Sequence, residues 1–195
     1  MLRKRFFFLF AVLALSLLFI AASDHSSLYN PVPRRLEILF LGHTTNRHHN
    51  SERLADIFLK EYFKDGINIT FTMSPNDLNA ENLSKYDGLV LYANHDTISP
   101  SQEKALLDFV RSGKGFIPLH CASFCFRNSD EVVEMIGGQF KSHKYDSFPA
   151  VITQPTHPVM KGIPSFVTKD ETYVHHKISK DIEVLSERVE GDHHE

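Results

Sequence analysis

The stretch that decides the fold is residues 87–121, DGLVLYANHDTISPSQEKALLDFVRSGKGFIPLHC. It begins and ends with a short apolar run, which is typical of a strand buried on both faces of a parallel sheet. Between the two runs, Ser99 can cap a helix, Pro100 suits the first turn of that helix, and Gly113 can end it. This order of strand, helix and strand predicts a βαβ unit with parallel strands.

The same alternation extends over most of the chain. It predicts the α/β class, with a doubly wound, mainly parallel sheet. In such folds ligands bind beyond the carboxyl ends of the strands. The remaining elements are predicted as strands at 36–42, 67–73, 148–154 and 183–189, and as helices at 51–65 (capped by Ser51), 76–86 (capped by Asp77) and 129–138.

The composition is that of an ordinary globular domain. The chain has 195 residues, is 42% hydrophobic and carries a net charge of -3. No basic excess favours binding to nucleic acid. Histidine is frequent, with 12 residues, and tryptophan is absent. The neutral imidazole is a common metal ligand and an acid or base near neutral pH, so the positions of the histidines matter.

The N-terminus has the layout of a secretory signal peptide. Basic residues 3–5 precede an apolar run, 6–22, and a small-residue cleavage site at Ser23. An uncleaved membrane anchor is the alternative, because about 17–25 apolar residues can span a bilayer. Either reading predicts an exported domain, periplasmic or extracellular. The predicted organisation is a signal peptide at 1–23, a linker at 24–35 and one domain at 36–195. The polar ending VEGDHHE, 189–195, indicates that the C-terminal part of the domain is missing.

Histidines follow three of the predicted strands. His43, His48 and His49 come after the first strand, His95 after the third and His120 after the fourth. The strands before His49 and His120 are expected to be parallel neighbours. Loops at the carboxyl edge of a sheet converge on one cleft, so these side chains are candidates for a shared site.

Cys121 follows the fourth strand at a position where some α/β enzymes carry a nucleophile. A nucleophile elbow has a glycine two positions before and two positions after the nucleophile. The sequence LHCAS at 119–123 has neither glycine. The only other cysteine is Cys125. In an exported domain the two could form a disulfide, or remain buried thiols.

Several segments resemble the ThuA-like (trehalose-utilisation) family. They are YDGLVLYANHDTISPSQEKALLDFVRSGKGFIPLHCAS at 86–123, IGGQFKSH at 136–143, THPVMKGIP at 156–164 and KDETYVHHK at 169–177. The resemblance covers about residues 36–190 and implies a flavodoxin-like fold, similar to class I glutamine amidotransferases. It also implies association with haem-binding or dehydrogenase-like modules of larger exported proteins.

The resemblance carries over to particular residues. His120 matches a characteristic family histidine, whereas the family commonly has Ala, Ser or Cys in the place of Cys121. This implies that His120 is functional, that Cys121 is dispensable, and that glutamine amidotransferase activity is not expected. The other residues that match family motifs are His49, His143, Asp170, Glu171 and Tyr173.

The resulting functional hypothesis is an exported domain of carbohydrate catabolism that acts on trehalose or a keto-disaccharide. His120 and Glu171 are the candidate general acid and base, and the candidate substrate-binding residues are His49, His143, Asp170 and Tyr173. His49, His120 and Glu171 could instead hold a divalent metal such as zinc. His143 and Glu171 are expected in loops, as are His175 and His176. The main alternative is a non-catalytic sugar-binding or interaction module, and a third is a cysteine hydrolase.

Overall fold

The computed structural model describes residues 33–43 and 49–190, together with the backbone of 193–194. From Arg35 onward these residues form one compact unit. The predicted signal peptide, 1–23, and most of the predicted linker lie outside the described residues. In the part of the chain that the structure describes, no helix is long and apolar enough to cross a membrane.

The chain alternates strands with helices in its first two thirds and then continues in long strands. The elements in chain order are β1 (Leu36–Gly42), α1 (Ser51–Tyr62), β2 (Ile67–Thr72), α2 (Ala80–Leu83), β3 (Gly88–Tyr92), α3 (Pro100–Arg111), β4 (Gly115–Pro118), a 3₁₀ turn (His120–Phe124), α4 (Asp130–Ile136), β5 (Gln139–Ile152), β6 (Phe166–His176), β7 (Ser186–Glu190) and β8 (His193–His194).

The first sheet confirms the predicted fold class. Its four strands are all parallel and lie in the order β2-β1-β3-β4. Successive side chains of a strand point to opposite faces, so each buried strand contributes to two cores. Leu41 and Leu91 pack with Leu106 of α3 in one core, whereas Phe40 and Val90 pack with α1 in the other. The helices therefore cover both faces, as a doubly wound sheet requires.

The second sheet is antiparallel, in the order β6-β5-β7-β8, and most of it was not predicted. The predicted strand at 148–154 is only the end of β5, and β6 was expected to be a loop. Much of β5 and β6 is exposed on both faces, so the apolar alternation that marks a half-buried strand is missing. The prediction that His143 and Glu171 lie in loops is wrong, because both belong to these paired strands.

One of the predicted helix caps is confirmed and two are wrong. Ser99 caps α3 through a full capping box with the third helical residue. The cap of α1 is Asn50 rather than Ser51, which is buried as the first helical residue. Asn79 rather than Asp77 caps α2, and the Asp77 carboxylate instead accepts a hydrogen bond from a threonine hydroxyl on β2. In both corrections a neighbouring Asn carries the capping oxygen.

Candidate functional site

The candidate site begins where β4 ends in the 3₁₀ turn. His120 opens this turn with a φ of 48°, in the left-handed region. Histidine is among the few residues other than glycine that are enriched there, and the conformation costs about 1–3 kcal/mol. The hydroxyl of Ser123 donates a hydrogen bond to the His120 carbonyl oxygen at 3.3 Å. A strained and braced turn is typical of a residue whose position matters for function.

Glu171 on β6 places its carboxylate between two imidazoles. One oxygen, Oε2, lies 3.4 Å from His120 Nε2, and the other, Oε1, lies 3.5 Å from His143 Nε2. The Glu171 side chain is 27% exposed, so the group is accessible from the cleft. A carboxylate beside two imidazoles is an arrangement suited to general acid–base chemistry.

Tyr173 completes the cluster two residues further along β6. Its hydroxyl lies 3.2 Å from His120 Nε2, and its ring stacks on His120 with 4.8 Å between centroids. Its pKa is raised mainly by burial and further by the charge of the nearby Glu171 carboxylate. The phenol therefore stays protonated at neutral pH and can donate a hydrogen bond to a ligand.

His49 reaches the cluster from the loop after β1. Its ring centroid is 5.1 Å from that of His120, and its Nδ1 lies 3.3 Å from the hydroxyl of Tyr92. The expectation that β1 and β4 are neighbours is wrong, because β3 lies between them. Tyr92, the last residue of β3, bridges the gap and was missed by the sequence analysis. Its place at the carboxyl end of a predicted strand was the available signal.

Four of these residues, His49, His143, Glu171 and Tyr173, line a cleft of about 200 Å³. The cleft is smaller than the usual ligand pocket of about 300–1,000 Å³, but its mixture of aromatic and polar groups is typical of ligand sites. Asn94, Phe124 and Phe140 were not predicted as part of it. The lining residues are His49, Asn94, Cys121, Phe124, Phe140, His143, Glu171 and Tyr173.

Asp170 is the one predicted site residue that the structure does not bring into the cluster of His49, His120, His143, Glu171 and Tyr173. It neighbours Glu171 on β6, so its side chain points to the opposite face of the strand. It is exposed, and its carboxylate accepts a hydrogen bond from the backbone N–H of Glu171 at 2.8 Å. Alternation along a strand thus separates two adjacent acidic residues, the candidate acid or base Glu171 and the candidate substrate-binding residue Asp170.

Two other histidines form a separate pair. His43 and His95 stack with 4.4 Å between their centroids and an angle of 9° between their planes. Burial lowers the pKa of His95, and the neighbouring His43 lowers it further. Neither residue lines the cleft around Glu171. Among the described histidines that follow the strands, only His49 and His120 therefore belong to the cluster around Glu171.

Cys121 lines the cleft but is poorly suited to act as a nucleophile. Its side chain is buried, and burial raises the pKa of its thiol to about 11. The thiolate is the reactive form, so this thiol is nearly inert at neutral pH. Both cysteines are free, which excludes the disulfide as a feature of this structure. The Cys125 thiol is buried as well and donates to the Ala93 carbonyl oxygen at 2.8 Å.

The predicted metal ligands lie near one another in the cluster around Glu171. Within the described ranges, no group of three or more His, Cys, Asp or Glu side chains is arranged to hold a metal ion. The imidazole of His120 lies 3.4 Å from the Glu171 carboxylate and 5.1 Å, between centroids, from the ring of His49. Metal binding by these three residues stays a prediction.

Fold and site together define a doubly wound α/β protein with a histidine, glutamate and tyrosine cleft at the carboxyl edge of its parallel sheet. A family model described as ThuA, trehalose utilisation, matches residues 37–194. The chain belongs to the ThuA family.

Two solved structures resemble the chain over most of its length. A ThuA-like protein from Bacteroides uniformis matches at a TM-score of 0.70 and 22% identity, covering 84% of this chain and 71% of that one. A ThuA-like protein from Parabacteroides merdae matches at 0.62 and 20% identity, covering 80% and 68%. Among curated proteins, none matches this chain. The two structural likenesses confirm the fold.

Proposed function

We propose that the protein acts in carbohydrate catabolism, on trehalose or a keto-disaccharide derived from it, through acid–base chemistry of His120 and Glu171. The observation that carries this proposal is the position of the Glu171 carboxylate, within 3.4 and 3.5 Å of the Nε2 atoms of two imidazoles. Membership of the ThuA family supports the substrate class.

A keto-disaccharide suits these groups better than an unmodified one. Ordinary glycosidases use two carboxylates that flank the glycosidic bond, whereas Glu171 is the only carboxylate that lines the cleft in the part described. A ketone acidifies the neighbouring C–H bond, so that one carboxylate and one imidazole are sufficient for proton transfer. A dehydrogenase would supply such a ketone, which agrees with the predicted association with dehydrogenase-like modules.

The proposed reaction is an elimination. Glu171 removes the proton from the carbon next to the ketone, and the electron pair forms an enolate. His120 and the hydroxyl of Tyr173 donate to the enolate oxygen, where negative charge develops. The enolate oxygen then re-forms the carbonyl, and the electron pair of the enolate double bond forms a new C=C bond to the β-carbon. The glycosidic C–O bond at that carbon breaks, and the leaving oxygen takes up the proton that Glu171 removed. His49 and His143 hold the sugar hydroxyls in the cleft.

We also propose that the domain is exported by the N-terminal leader. The order of basic residues 3–5, apolar run 6–22 and small residues before Asp24 supports this. Mass spectrometry of the exported protein should find a mature N-terminus within a few residues of Asp24. Intact Met1 in a membrane fraction would contradict cleavage and favour the anchor.

The catalytic proposal is tested by turnover of keto-disaccharides. Glu171→Gln removes the base at nearly constant size, and His120→Asn removes the imidazole while keeping a residue that tolerates positive φ. Each should lower turnover by about 10²–10⁴-fold with the melting temperature nearly unchanged. Asp146→Asn, an exposed acidic residue of β5, is the matched control. Metal analysis of the same preparation tests the zinc prediction.

One result would favour the alternative of a sugar-binding module. If calorimetry detects a disaccharide that binds to the wild-type protein but is not converted, the cleft binds without catalysis. Glu171→Gln should then weaken the affinity of the protein for the disaccharide, with no turnover in either protein. The cluster of aromatic rings around the carboxylate, such as Phe140 at 4.7 Å from Tyr173, is compatible with that outcome.

A further inference from the structure

A second cavity, of about 400 Å³, lies next to the cleft along β6. Tyr173 lines the cleft and His175, two residues later on the same face of the strand, lines this cavity. Four aliphatic side chains form most of its wall, and three polar side chains interrupt them. An apolar cavity with a few placed polar groups is the usual form of a small-molecule site. The aliphatic side chains are Ile136, Ile178, Ile182 and Val184, and the polar ones are Ser123, His175 and Glu187.

Ser123 and His175 are hydrogen-bonded to each other. The Ser123 hydroxyl oxygen lies 3.2 Å from Nε2 of His175, within the range for a nucleophile and its base. Ser123 is only 9% exposed, and its place in the 3₁₀ turn after β4 holds it against the cavity. A serine hydroxyl rotates freely, so the same group can donate to the His120 carbonyl or to the imidazole.

We propose that Ser123 and His175 form a nucleophile and base that hydrolyse carboxylic esters, with the acyl chain of the ester in the apolar cavity. The site is distinct from the pair of His120 and Glu171, and the proposal does not depend on the function proposed for that pair. Glu187 adds one carboxylate to the lining of the same cavity.

The reaction follows two balanced steps. The Ser123 oxygen attacks the carbonyl carbon while its proton passes to His175 Nε2, and the ester C–O bond then breaks. The leaving alcohol takes the proton from the imidazole, and an acyl group stays on Ser123. Water next gives a proton to His175 and attacks the acyl carbon, which releases the carboxylic acid and returns the proton to the serine oxygen. No other reactant is needed.

Covalent labelling of the unmodified full-length protein tests the nucleophile without any substitution. A fluorophosphonate reacts with an activated serine, forming an O–P bond with loss of fluoride. Peptide mapping by mass spectrometry should place one adduct on Ser123. An absence of adduct at Ser123 in folded protein would overturn the proposal, as would equal labelling of many serines.

Hydrolysis of p-nitrophenyl butyrate tests the pair. Ser123→Ala should reduce the rate to the uncatalysed background, and His175→Gln should lower it by about 100-fold or more. Ser142→Ala, an exposed serine of β5, should keep the wild-type rate. Thermal melts establish whether each variant is folded. If Ser123→Ala does not fold, labelling of the wild-type protein is the test of the proposal. A wild-type rate in folded Ser123→Ala would overturn this proposal and leave the keto-disaccharide proposal unaffected.

Discussion

The two sheets of this protein differ in what holds them together. The parallel sheet is covered on both faces, and residues such as Leu41 and Leu91 have no exposed surface. The antiparallel sheet leaves large side chains in solvent, with Tyr145 66% and Val167 74% exposed. Burial of apolar surface is the main favourable term in folding, so the first sheet supplies most of the stability. The candidate site takes residues from both.

The contacts of β6 and of Lys177, directly after it, with the 3₁₀ turn and α4 are mainly polar and aromatic. Tyr173 contacts His120, His175 contacts Ser123, and Lys177 forms an ion pair with Asp130 at 2.8 Å. Regions with few buried apolar contacts open at lower free energy than the core. The site should therefore come apart by local opening of β5 and β6 before the parallel sheet unfolds.

The largest expected effect separates the two sheets by stability. Leu106→Ala removes a fully buried side chain from the core and should lower the free energy of unfolding by about 2–5 kcal/mol. Val167→Ala on the exposed β6 should change it by less than about 0.5 kcal/mol. Urea denaturation measures both. Similar losses for the two variants would mean that the antiparallel sheet carries more of the stability than its exposure indicates.

The next effect concerns the hydroxyl of Tyr173. Tyr173→Phe keeps the ring that stacks on His120 but removes the donor at 3.2 Å, so turnover of a keto-disaccharide should fall by roughly 10-fold. Tyr145→Phe, on the exposed part of β5, should leave the rate unchanged. An equal fall in both variants would point to loosening of the sheet rather than to loss of a donor.

A smaller effect is expected from Cys121. Cys121→Ala should cost about 1 kcal/mol and leave turnover almost unchanged, because the thiol is buried and protonated. Burial raises its pKa from 9.0 to about 11, so the stabilisation of the neutral thiol is complete below pH 9 and is lost as the pH rises towards 11. The wild type should therefore lose more stability than Cys121→Ala over that interval in pH-dependent denaturation. Loss of activity in folded Cys121→Ala would restore the nucleophile hypothesis.

The smallest effect is expected at Asp170. Asp170→Asn should change neither the rate nor the affinity for a disaccharide by more than about twofold, because the side chain lies on the opposite face of β6 from Glu171. Turnover of a keto-disaccharide by Asp170→Asn and by Glu171→Gln, measured under the same conditions, tests this difference. A large loss in Asp170→Asn would support the role in substrate binding that the sequence predicted.

The sequence by itself determined the parallel half of the fold. Buried parallel strands are continuous apolar runs and their helices carry local start and stop signals, so β1, β3 and α3 could be predicted closely. The resemblance to ThuA-like motifs also identified His49, His120, His143, Glu171 and Tyr173 as candidates, because those motifs are short segments that can be matched without the fold.

Only the tertiary structure decided how those candidates meet. The strands β5 and β6 lack apolar alternation, so backbone pairing rather than a sequence pattern defines them. Strand order is a long-range property, and it placed Tyr92 between His49 and His120. Side-chain alternation along β6 then selected Glu171 over Asp170 for the cleft, since adjacent residues of a strand face opposite sides.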